Sequence, residues 1–225
     1  MNDLEKRIGV IFKDKNLLKE ALTHRSYLNE HPEWGLPHNE RLEFLGDAVL
    51  ELVTTEYLFS HFSEKPEGQL TMLRAALVNY QFLSKITGEF DLDDAILMSR
   101  GERADNSKAR EVILANAIEA LIGAIYLDQG FEIASNFIHR FILEHLPDIL
   151  ENKSYKDAKS ELQEIVQEQL RVTPSYKVLE ENGPAHKRIF RIGVYFGEKL
   201  IAEGEGSSKQ EGEIEAAKKA LSKDK

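Results

Sequence analysis

The stretch NERLEFLGDAVL, residues Asn39 to Leu50, interleaves three carboxylates with a run of apolar side chains. At about 100° per residue, spacings of three and four set Glu40, Glu43 and Asp47 along one narrow stripe of a helix. The simplest reading is a solvated acidic face, because charged residues are mostly exposed. The neighbours argue against it. Phe44, Leu45, Ala48 and Val49 leave few surface positions, and Gly46 costs about 1 kcal/mol of helix propensity unless another element must approach it closely. Like charges on one stripe of a largely apolar helix need a cation.

A fourth carboxylate stands in the most apolar run of the chain, VILANAIEALIGAIYLDQG, residues 112–130. Val112, Ile113, Leu114, Ile118, Leu121, Ile122 and Ile125 cover most of a helix circumference, so that helix is expected to be buried, with Glu119 its only charge from Val112 to Leu127. A buried carboxylate without a partner costs several kcal/mol or takes up a proton. Two partners are open to Glu119. One is an ion pair to an arginine such as Arg74. The other is a site shared with the first stripe, in which Asn116 and Glu119, three apart, face Glu43 and Asp47 across a magnesium ion whose open positions take a phosphodiester. Ala115 and Gly123 are small enough to let a second helix come close.

At 225 residues and 42% hydrophobic content the chain is long enough for two domains with a core in each. No apolar run reaches the length of a membrane span, and MNDLEKRIGV lacks the order of a signal peptide, so a cytoplasmic protein with no membrane partner is expected. The absence of cysteine excludes disulfides, thiolate metal sites and a cysteine nucleophile. A net charge of −10 argues against nucleic acid as a partner, but it is unevenly spread. Residues 1–155 hold 16 Lys and Arg against 26 Asp and Glu, while residues 156–225 hold 13 of each. Local basic clusters in the second part can still bind an anion.

Elsewhere in the first part, residues 3–30 read as two helices with Asp14 or Asn16 as a cap between them, THRSYLNEH as a turn, and HPEWGLPH as a loop leading to the acidic stretch. His24, His31 and His38 recur every seven residues without ligand geometry and are given surface or capping roles. LTMLRAALVNYQFLSKI reads as one core-facing helix, with Glu67 placed at its positive N-terminal end. Asp91, Asp93 and Asp94 read as caps and solvent-facing charges, and SRGERADNSKARE as a polar, mobile segment. Residues 131–150 form an amphipathic helix ending near Pro147. From residue 156 the pattern changes to a helix (SELQEIVQEQL), three alternating stretches (SYKVLEE, RIFRIGVYF, EKLIAEGEG) and a helix from about Gln210 to Lys223. Helix, three strands and helix in about 70 residues is a small α+β domain.

Taken in order, FKDKNLLKEALTHRSY, NERLEFLGDAVL, EGQLTMLRAALV and ILANAIEALIGAIYLD resemble the bacterial ribonuclease III family over essentially the whole chain. The resemblance implies an all-α endonuclease domain at 1–150, a short linker at 151–155, and an α-β-β-β-α double-stranded RNA-binding domain at 156–225. It implies hydrolysis of both strands of double-stranded RNA by a homodimer, with Mg2+ as cofactor and Mn2+ as a substitute. The ends are 5′-phosphate and 3′-hydroxyl, and the setting is rRNA and mRNA precursor processing. The family's metal ligands fall on Glu43, Asp47, Asn116 and Glu119, with Asp47 and Glu119 catalytic. Glu40 and Glu67 match positions near the scissile strand. Phe44 matches a knob that enters a partner's socket, although packing within its own subunit reads equally well from sequence.

In the second domain the resemblance assigns Ser160, Gln163 and Gln167 to one RNA minor groove, His186 to another, and Lys209 to the phosphates between them. The family pattern departs at three places. ILAN stands for ILAD, so Asn116 offers a neutral oxygen and one negative charge less. Gln210 stands where a second lysine is common, and Gly212 where alanine is. Glu211 and Glu213 dilute the charge further. The site either works with three carboxylates and an amide, holds its metal less tightly, or is inactive. The alternative to an endonuclease is then a dimeric double-stranded RNA-binding protein with reduced or lost cleavage. A helical regulatory domain fused to a protein-binding module leaves Glu119 unexplained.

Overall fold

Three short helices open the chain, α1 (Asp3–Ile8), α2 (Lys15–Ala21) and α3 (Arg25–Glu30), in a computed structural model that describes residues 3–105, 107–152, 155, 158–184 and 188–223. The Asp14 carboxylate caps α2, as its position suggested, by accepting the Asn16 N–H at 2.8 Å. The expected turn THRSYLNEH is instead helical from its third residue, Arg25, to Glu30. His24 is in extended conformation and its Nδ1 accepts the Ser26 N–H, so it does the work of a cap and starts α3. His38, one residue before the Asn39 that precedes α4, accepts the Glu40 N–H at 3.4 Å.

The long helices α4 (Glu40–His61) and α9 (Lys108–Gln129) form the centre of the first unit, which spans Met1–Tyr155. Ile118, Leu121, Ile122 and Ile125 of α9 are fully buried against side chains that include Leu50 and Leu58 of α4 and Leu18 of α2. Between the two, the single helix expected over residues 70–86 divides into α5 (Glu67–Val78) and α6 (Tyr80–Ile86). Asn79 causes the break: its ψ of 152° leaves the helical region, and its side chain accepts the Phe82 N–H at 2.9 Å. After α7 (Leu92–Ala95), the polar segment expected to be mobile is built as α8 (Arg100–Ala104), capped by Ser99, and Ser107 caps α9.

The helix expected over 131–150 also divides, into α10 (Phe131–Phe141) and α11 (Leu146–Glu151), with a 3-10 turn between. Pro147 does not end a helix there. It lies in the first turn of α11, where a missing N–H costs nothing. Asp128, at the end of the second family motif, accepts the Lys13 and Asp14 N–H groups at 2.8 Å each and so joins the end of α9 to the loop before α2.

The second unit, Lys156–Lys225, is α12 (Ala158–Leu170), an antiparallel sheet in the order β1 (Ser175–Asn182), β2 (Ile189–Phe196), β3 (Lys199–Gly206), and α13 (Lys209–Lys223). Both helices pack on one side of the sheet, joining Leu162 and Val166 to Val194, Ala202, Ala216, Ala217 and Ala220. Glycine lets α13 lie directly on β3: a Cβ on Gly204 would stand 2.2 Å from the Ala216 nitrogen. Gly212 follows the same logic, since a Cβ there would stand 2.6 Å from Ile192 Cγ1. Among the described residues no helix is long and apolar enough to cross a membrane.

Candidate functional site

Helices α4 and α9 cross backbone to backbone. A Cβ on Gly46 would lie 1.7 Å from the Glu119 carbonyl oxygen, and one on Gly123 would lie 2.2 Å from that of Leu42. Only glycine fits either place, which accounts for the propensity lost at Gly46. Glu43 and Asp47 flank this contact on α4, and Asn116 and Glu119 sit on the turns of α9 that meet it.

The electrostatics follow from the crossing. The Glu119 carboxyl is pushed up to about 8, first by burial and then by the negative charges of Asp47 and Glu43. Glu43 is raised above the ordinary carboxylate range by burial and by Glu40 and Asp47, against the pull of a hydrogen bond from the Asn116 side chain. Among the described residues the charged groups that act on Glu119 are both carboxylates, and the arginine pairing open from sequence is taken elsewhere: Arg74 pairs with Glu51 at 3.2 Å and donates to Thr55 at 3.0 Å. As the side chains stand, no group of three or more His, Asp or Glu among the described residues is set to hold a metal ion. The donor set still fits a hard divalent cation, because it is all oxygen, net negative and short of positive charge.

Two further acidic positions divide. Glu40 belongs with the cluster, raising Glu43 from its own stripe, and it is paired with Arg25 at 3.4 Å. Nothing in the sequence points Arg25 at this cluster, because the helix α3 that positions it reads as a turn. Glu67 does not join the cluster. It opens α5 and lines a pocket of about 410 Å3 with Thr55, Leu58, Phe59, Leu70 and Arg74. Phe44 is 81% exposed and so is not a core residue of its own subunit. With Leu52 and Phe59, at 56% and 73%, it forms an apolar stripe along the outside of α4.

On the second unit, Ser160, Gln163 and Gln167 occupy the exposed face of α12, opposite Ala158, Leu162 and Val166. Lys209 is exposed at the start of α13, over the Phe190 ring at 6.0 Å, and Lys218 and Lys219 are exposed further along. His186 lies outside the described residues. The two glutamates expected to dilute this charge are engaged locally. Glu211 accepts the Ser207 N–H and Ser208 accepts that of Glu211, which together tie down the start of α13, and Glu213 pairs with Lys159 at 2.7 Å.

A family model described as ribonuclease-III-like matches residues 14–146, and one described as a double-stranded RNA binding motif matches residues 158–223. A protein named ribonuclease 3 from Carboxydothermus hydrogenoformans is 48% identical over 97% of this chain and 93% of its own length. The ribonuclease 3 of Enterococcus faecalis is 44% identical over 97% and 95%. Among solved structures, the nuclease domain of ribonuclease III from Campylobacter jejuni superposes with a TM-score of 0.58 at 48% identity, covering 65% of this chain and 98% of that one. Its description concerns flexibility in a region involved in dimer formation.

Proposed function

The chain belongs to the ribonuclease III family and is an endonuclease for double-stranded RNA, and we propose that its cleavage depends on a divalent metal held where α4 crosses α9. The observation that supports this reading is the glycine crossing, which brings Glu43, Asp47 and Glu119 near enough for the charges of the first two to raise the carboxyl of the third. Glu43, Asp47, Glu119 and the Asn116 oxygen would hold Mg2+, or Mn2+ in its place. Such an ion supplies a water of lowered pKa and neutralises charge on the attacked phosphate. Asp47 is exposed at the rim, while Glu119, raised to about 8, holds a proton on its carboxyl at neutral pH that a bound cation would displace. Asn116 orients Glu43 through its amide hydrogen and leaves its carbonyl oxygen for the ion. The products are 5′-phosphate and 3′-hydroxyl ends, the natural substrates rRNA and mRNA precursors in the cytoplasm.

The binding-only alternative is not favoured, because an amide at Asn116 preserves an oxygen donor and three carboxylates remain. Incubating a long RNA duplex with Mg2+ and either the unchanged protein or Asn116→Asp tests this. Both are expected to cut, Asn116→Asp at about tenfold lower Mg2+. An unchanged protein that leaves the duplex whole while Asn116→Asp cuts it would restore the alternative.

Two strands require two sites, and a homodimer provides them through a two-fold axis. Phe44 and Phe59 lie eight residues before and seven after Leu52, so two antiparallel α4 helices centred on Leu52 bring each Phe44 to the pocket beside the other copy's Phe59. In that arrangement Glu67 serves the other copy's site, which reconciles its family position with its distance from the cluster in its own subunit. Phe44→Arg is expected to halve the mass measured by sedimentation and to convert double-strand cuts into nicks. A Phe44→Arg protein that sediments as a dimer contradicts the interface.

On the second unit, Ser160, Gln163, Gln167, His186 and Lys209 are proposed to contact the duplex by its A-form shape rather than its sequence.

A further inference from the structure

Glycine at the α4–α9 crossing fixes how closely the helices approach and rules out a slip of a whole turn, which would bring Leu42 or Leu50 to the contact, but it does not by itself fix the last ångström of their placement. Metal ligation tolerates only a few tenths of an ångström, far less than the 5.4 Å of one turn. Other contacts must set that fine register. We propose that the segment Thr23–Ser26, with Asn39, is a three-way clip that sets it, and that the Ser26 hydroxyl is a positioning residue for the carboxylates. This rests on the reading of those carboxylates as a cation site.

Toward α4, the Asn39 N–H donates to the Thr23 carbonyl at 2.9 Å, its side-chain amide donates to the Ala21 carbonyl at 3.4 Å, and its own carbonyl accepts the Glu43 N–H at 2.9 Å. Asn39 therefore spends its side chain on the α2–α3 joint rather than on capping α4. Toward α9, the His24 N–H donates to the Leu97 carbonyl at 2.9 Å and the Leu97 N–H donates to the Leu22 carbonyl at 2.7 Å. The Ser26 hydroxyl accepts the Ser99 N–H at 3.0 Å and donates to His24 Nδ1 at 2.7 Å. Ser99 then caps α8, whose Glu102 carbonyl accepts Arg110 of α9 at 3.3 Å; Arg110 also pairs with Asp93. Arg110 stands six residues before Asn116 on the same helix. Thr23, Ser26 and Asn39 are three of the six buried polar or charged residues among those described. Buried polar groups at one joint between two halves of a site have a cost that register explains.

Ser26→Ala removes the acceptor for Ser99 without touching α4 or α9. Mn2+ affinity read by paramagnetic resonance is expected to fall about tenfold, and kcat on a duplex by a similar factor, with KM for the duplex unchanged. Ser26→Thr keeps the hydroxyl and is expected to restore both. Should Ser26→Ala not fold, Ser26→Cys, which keeps the volume and weakens the acceptor, is expected to show the same loss in smaller measure. A Ser26→Ala protein with the parent's Mn2+ affinity and kcat overturns the clip, as does one that loses only thermal stability. A parent that neither binds Mn2+ nor cuts overturns the cation-site reading itself, a different outcome from a cutting parent matched by its variant.

Discussion

Glu119→Gln is expected to abolish cleavage by on the order of 10³-fold while making the metal-free protein more stable at alkaline pH. The two effects share one cause. Burial and the charges of Asp47 and Glu43 raise the Glu119 carboxyl from 4.5 to about 8, so the folded protein binds a proton there that the unfolded chain gives up. The stability tied to that proton is fully present below about pH 4.5 and is lost as pH rises through about 8. Glutamine needs no proton. The stability gap between variant and parent should therefore widen from pH 5 to pH 8.5, by on the order of 3 kcal/mol. Mg2+ should narrow it, because the ion stabilises the parent's carboxylate and finds a weaker site in the variant. Thermal melts at the two pH values, with and without Mg2+, check the sign. A variant no more stable than the parent at pH 8.5 would mean that Glu119 has a neutralising partner.

The largest loss of stability is expected from Gly46→Ala. In an open helix this change gains about 0.5–1 kcal/mol. At Gly46 the new methyl would lie 1.7 Å from the Glu119 carbonyl oxygen and 2.8 Å from the Gly123 nitrogen, and both are backbone atoms of a packed helix. Nothing there can turn aside, so α4 and α9 must part, at a cost of about 3 kcal/mol or more and a fall in Tm of roughly 10 °C. Gly68→Ala in α5 is the control. No atom lies within 4 Å of a Cβ at that position, and a small gain is expected. Equal and small effects at the two glycines would remove the close crossing from the account.

The crossing was legible in the sequence because two independent irregularities pointed to it. Gly46 spends helix propensity without local reason, and Glu119 places a charge in an apolar helix. The helix breaks at Asn79 and Ile142 were not legible, because the apolar spacing continues across both. At Asn79 a capping side chain overrides a pattern that reads as one helix. The start of α3 was hidden by its cap, since histidine is not among the usual capping residues. Glu67 was assigned by motif order, and motif order carries no distance. Glu211 and Glu213 were read as surplus charge because their partners, Ser207 and Lys159, are four and fifty-four residues away, and only the folded domain brings the second together.

Metal-dependent cutting of double-stranded RNA at the α4–α9 crossing is open to direct test. The most direct measurement incubates an end-labelled duplex of several helical turns with the unchanged protein, in Mg2+ and in a chelator, and analyses the ends. Short duplexes bearing 5′-phosphates are expected in Mg2+ and intact duplex in the chelator. Cleavage at full rate in the chelator, or a duplex that is bound but never cut in Mg2+ or Mn2+, would contradict it.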